Sequence, residues 1–157
     1  MKREAAGTFS KEGAGYTEGS SMGAIFNVFP LLLIPVLIYN IWAFGASVGG
    51  TEGATAFVAQ LTHPQHPMLI SMASGAQWQV TSGDIFVLLS MILLFVELLK
   101  STSTGTAAIF NHALSMLVFI ICLVEFLLHP AFATTPFFLI LVMTLLDVLA
   151  GVVVTII

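Results

Sequence analysis

From Asp84 to the C-terminus the chain carries no charged residue except Asp84, Glu97, Lys100, Glu125 and Asp147, spread through three long apolar runs. A spanning helix needs about 20 predominantly apolar residues. Segments 82–100, 106–129 and 135–157 approach or meet that length, and a fourth lies at 23–48. Of the 157 residues, 58% are hydrophobic and 8% charged. An ordinary soluble domain carries roughly a quarter charged residues, so this chain has too few to cover a soluble surface. The expected fold class is all-α: a polytopic integral membrane protein with four transmembrane helices. Residues 22–157 form one membrane domain, with no room for a soluble catalytic one.

Residues 1–21 are rich in Gly, Ser, Thr, Ala and Glu without an apolar period, which predicts a flexible tail. The apolar run behind it is too long for a cleaved secretory signal and is read as an uncleaved anchor. Pro30 and Pro35 each remove a backbone donor from the first span and predict kinks. Asn27 and Asn40 are placed to bond the freed carbonyls. Either a broken, hinge-like helix or a bent packing helix satisfies this pattern. Tyr39 and Trp42 fall near its far end, as interface anchors should.

Residues 49–81 form the one long connection, the outer loop, whose stretch 55–61 predicts a short amphipathic surface helix. Thr81-Ser82-Gly83-Asp84 fits a capping box at the start of the second span. Short turns at 101–105 and 130–135 join antiparallel neighbours, and Thr135 followed by Pro136 predicts the cap of the last span. Lys2, Arg3 and Lys11 precede the first span and Lys100 ends the second. The positive-inside rule then puts both termini in the cytoplasm, with a bacterial inner membrane as the compartment.

A carboxylate inside a span costs at least about 2.5–3.5 kcal/mol, so Glu97, Glu125 and Asp147 each need a partner or water. Helical spacing puts Asn111, Ser115, Cys122, Glu125 and His129 on one stripe, and Thr144, Asp147, Gly151 and Thr155 on another. Ser90 and Glu97 share a third. These stripes can face one another inside a bundle. A rise of about 1.5 Å per residue sets Glu125 near the outer interface, Asp147 and His112 near the midplane, and Glu97 near the inner interface. An Asp147–His112 contact is the expected pairing. Two readings stand: a proton path through Glu125, Asp147, His112 and Glu97, or structural pairing of Glu97 with Lys100, Glu125 with His129, and Asp147 with a neighbouring helix.

Other signals are weaker. His63 and His66, with Met68 and Met72, have ligand types suited to copper, but the intervening prolines favour an extended turn. His112 and His129 are too far apart on one helix to ligate one haem iron. There is no cofactor motif, phosphate loop, nucleophile elbow or nucleic-acid patch, so no cofactor, no enzyme activity and no nucleic-acid partner are expected. The lone Cys122, inside a span, reads as a small apolar filler. Gly45 with Gly49, and Ala150 with Gly151, are small-residue sites that favour close helix packing.

The half from Ser82 onward, with Gly83-Asp84, Phe95-Val96-Glu97, Asn111-His112, Val124-Glu125-Phe126 and Leu146-Asp147, resembles a group of small uncharacterised proteobacterial inner-membrane proteins. The resemblance implies a bacterial inner membrane and brings no activity with it. The expected function is a non-enzymatic accessory, assembly or structural subunit, partnered by lipid and by other membrane subunits or copies of itself. The alternatives are a proton-coupled transport or channel component, and a quinone- or haem-associated subunit.

Overall fold

The computed structural model describes residues 23, 28–100 and 105–156. The expected tail at 1–21, Asn27, most of the 101–105 turn and the Thr155 side chain lie outside the described residues. The described residues form five helices: α1 (Leu33–Ser47), α2 (Gly50–Thr62), α3 (Ser82–Lys100), α4 (Thr106–Leu128) and α5 (Thr135–Ile156). A hairpin of β1 (Met68–Ser71) and β2 (Gln77–Val80) separates α2 from α3, and a short 3-10 turn, Pro130–Phe132, separates α4 from α5.

Three helices, α3, α4 and α5, are long and apolar enough to cross a membrane. Their 19, 23 and 22 residues correspond to about 28, 34 and 33 Å, against a hydrocarbon core of about 30 Å. Each remains apolar on faces left open among the described residues; Leu88, Leu89, Phe95, Leu117 and Leu149 are all half-exposed or more. Helices that are hydrophobic all round belong in an apolar solvent.

The buried stripes follow the helical repeat. On α3 they are Phe86, Ser90, Leu94 and Glu97; on α4, Asn111, Ser115, Val118 and Cys122. On α5 the stripe widens to Phe137, Ile140, Leu141, Met143, Thr144, Asp147 and Val148. The reason is position, since both α3 and α4 pack on α5.

The first apolar segment is not one continuous helix through 23–48. The chain breaks at 29–32, and α1 begins beyond Pro30 with 15 residues, about 22 Å. Pro35 produces no kink, because it sits in the first turn of α1, where amides have no helical acceptor to lose. Tyr39 is also not an interface anchor: it is fully buried. Its ring meets Phe137, Phe132 and Phe57 at 4.7, 5.4 and 5.6 Å. Trp42 is the residue left half-exposed at that level, against Phe86 at 5.6 Å.

The Thr81–Asp84 capping box forms as expected. Asp84 Oδ2 accepts from the Thr81 amide and hydroxyl, both at 2.8 Å, and the Asp84 amide donates to Thr81 Oγ1 at 3.1 Å. The α5 cap falls one residue earlier than expected. Thr134 Oγ1 accepts from the Phe137 amide at 3.2 Å, and the same hydroxyl group lies 2.6 Å from Tyr39 Oη. Tertiary contact with Tyr39 selects Thr134 over the equivalent Thr135.

Stretch 55–61 lies inside α2, which buries Ala54 and Leu61. Nothing in the sequence reading foresaw the hairpin. Its turn closes through the Gly75 amide on the Met72 carbonyl at 2.9 Å, with Gly75 at φ +84°, a left-handed conformation that glycine adopts without strain.

Candidate functional site

Breaking a helix inside an apolar bundle leaves backbone groups without partners, and each would cost several kcal/mol in hydrocarbon. At 29–32 the orphans are met by side chains from α3. The Leu31 amide donates to Glu97 Oε2 at 2.8 Å, and Lys100 Nζ donates to the Phe29 carbonyl at 2.6 Å. Lys100 also pairs with Glu97 Oε2 at 3.1 Å. Asn111 of α4 closes the group: its Nδ2 donates to Glu97 Oε1 at 2.7 Å, and its Oδ1 accepts from Lys100 at 3.4 Å. Glu97 is completely buried, yet both carboxylate oxygens have donors. One backbone segment and one helix, α4, are tied to α3 through this single carboxylate.

Asp147 lies beside this cluster and is almost completely buried. It falls within electrostatic range of Glu97, Lys100 and His112. Ser115, one turn along α4 from Asn111, faces it but falls short of hydrogen-bond geometry, so its hydroxyl is buried without a partner. His112 does not hydrogen-bond Asp147. Its ring lies on Gly151, where an added Cβ would run into Nδ1 and stand 3.0 Å from Cγ. The His112 Nδ1 is likewise buried and unpartnered. Thr144 and Ser90 are occupied within their own helices, donating to the Leu141 and Phe86 carbonyls at 2.7 and 2.8 Å.

Glu125 stands apart. Its Oε2 accepts from Asn40 Nδ2 at 3.1 Å, and that amide also donates to the Val36 carbonyl at 2.9 Å. The expected Glu125–His129 bond is replaced: His129 Nδ1 accepts from the Ala131 amide at 3.3 Å and its ring meets Phe132 edge-on. Ten residues separate Ser115 from Glu125, about 15 Å along the helix. The buried face between them carries Val118 and Cys122. The four groups of the anticipated path therefore fall into a cluster of Glu97, Asp147 and His112, and an isolated Glu125.

His63 and His66 are exposed at the end of α2 and flank a shallow groove with Gln60 and Gln65. Among the described residues no three His, Cys, Asp or Glu side chains converge to hold a metal. Gly45 faces open space, whereas Gly151 is taken up by His112 within the chain.

The partners that sequence reasoning missed are backbone groups, the Leu31 amide and the Phe29 carbonyl. Pro30, which stops the helix, and Lys100, three residues after Glu97, were the available signals. Comparison with protein families, curated proteins and solved structures finds no match to this chain.

Proposed function

We propose that the chain is a non-enzymatic integral membrane protein that serves as an accessory or assembly subunit of a larger membrane complex, or assembles with itself. The observation that carries this reading is the engagement of both buried Glu97 oxygens by Leu31, Lys100 and Asn111. A fully buried carboxylate with donors on both oxygens reads as a structural tie between elements. Glu125, only partly buried, takes one donor, from Asn40, on one of its oxygens.

A four-span topology belongs to the proposal. Leu31 stands beside Glu97, and Tyr39 stands beside Thr134 at the opposite end of the bundle, so α1 with its broken lead-in runs alongside α3. Lys2, Arg3 and Lys11 then share a face with Lys100, which assigns both termini to the cytoplasm of a bacterial inner membrane.

Gentle solubilisation from native membranes, followed by sizing and mass identification, tests the proposal. Co-migration with other membrane subunits, or a defined homo-oligomer, in both the native chain and Asp147→Asn is the expected result. A lone monomer would overturn it.

A second reading rests on the unpartnered Ser115 hydroxyl and His112 Nδ1 beside Asp147. Intramembrane Asp and His residues form proton relays in pumps and transporters, and two free buried polar atoms give such a step local room. Proton flux in liposomes that disappears in Asp147→Asn, with the fold retained, would make this the primary reading.

A further inference from the structure

The β1–β2 hairpin gathers most of its exposed apolar side chains on one face, with Leu69 alone on the other. Cross-strand partners point to the same side, and the register pairs Met68 with Val80 and Ile70 with Trp78. Those four make one face; Leu69, Ser71, Gln77 and Gln79 make the other. Met68, Ile70 and Trp78 are 59%, 39% and 54% exposed, and Met72 beyond them is 48% exposed. Two strands alone are marginal in water without a covered hydrophobic face. Among the described residues only its Val80 end is partly covered.

We infer that this face lies on the lipid surface, as an interfacial anchor at the Thr134 end of the bundle. Three observations choose lipid over a protein partner. Only Thr81 separates β2 from α3, so the hairpin emerges where the apolar exterior begins, and Ile85, Leu88 and Leu89 of the first turns of α3 continue the exposed surface. Between Glu52 and Asp84 the chain has no Asp, Glu, Lys or Arg. Soluble edge strands keep charges or prolines to block pairing with other chains, and neither strand here has one. Finally, Trp78 is the side chain that membrane interfaces favour, apolar in body with one polar N–H. The absence of basic residues makes the anchor independent of anionic lipid.

The chain has two tryptophans, so Trp42→Phe leaves Trp78 as the sole reporter in the full-length protein. The probe is a vesicle of neutral phosphatidylcholine brominated close to the headgroup, at a low protein-to-lipid ratio. Trp78 is expected to lose most of its emission there, to resist iodide in unbrominated vesicles, and to regain emission when Ile70→Ser and Met68→Ser are added. Emission quenched by iodide and untouched by bromine would place the hairpin in water and overturn the inference. Protection from both, with Ser74→Cys cross-linking two copies, would overturn it in favour of a second chain. Should Trp42→Phe lose helicity, the difference spectrum between the native chain and Trp78→Phe gives the same readout.

Discussion

Glu97 is the residue whose removal should cost most. Deleting one member of a buried pair leaves the other charged and unmatched, at about 3–5 kcal/mol. Glu97→Leu should therefore destabilise the bundle by that order in a detergent unfolding titration, since Lys100, the Asn111 amide and the Leu31 amide all lose their acceptor. Glu97→Leu combined with Lys100→Leu should cost clearly less than the sum of the two single changes, because no charge is then stranded. Simple additivity would mean that the two act independently. Gly151 makes a second, steric prediction. Its missing Cβ is filled by the His112 ring, so Gly151→Ala should cost about 1–3 kcal/mol as overpacking. His112→Ala in the same chain should relieve most of that loss. An unrelieved loss would locate the strain elsewhere.

At the scale of elements, the entry to α5 is set by another helix. Tyr39 of α1 donates to the Ala131 carbonyl at 3.1 Å and contacts Thr134 Oγ1, the α5 cap. Thr134→Ala removes the cap and a buried partner together and should cost about 0.5–2 kcal/mol. Tyr39→Phe keeps the ring packing and should cost about 0.5–1.5 kcal/mol. The pair should be non-additive in the same unfolding titration, since they share one contact; Thr135→Ala should change stability little. The capping box of α3 was legible from sequence because its donors and acceptors lie within four residues. The α5 cap was not, because Thr134 and Thr135 are locally equivalent and only Tyr39, some ninety residues away, distinguishes them.

For the whole molecule, the proposed topology makes a labelling prediction. In a Cys122→Ser background, Ser10→Cys and Ser103→Cys should react from the same side of the membrane, and Ser74→Cys from the other. Ser74 and Ser103 labelling from one side would mean that α3 does not cross. Ser10 on the side of Ser74 would mean that α1 does not cross. Helical period and hydrophobicity are local, so the three apolar helices from Ser82 onward, and the faces they bury, were legible in the sequence, which also expected a fourth span at 23–48. It also brought out Glu97, Asn111 and Asp147 as inward-facing, since a polar residue on a buried stripe has one side to face. It could not determine the break at 29–32, the hairpin face, or the division of the polar residues into a cluster and an isolated Glu125. Those depend on which helix lies against which, and on the height at which each one meets α5. Only tertiary packing decides that, because an orphaned backbone amide takes whichever buried acceptor comes within hydrogen-bond reach.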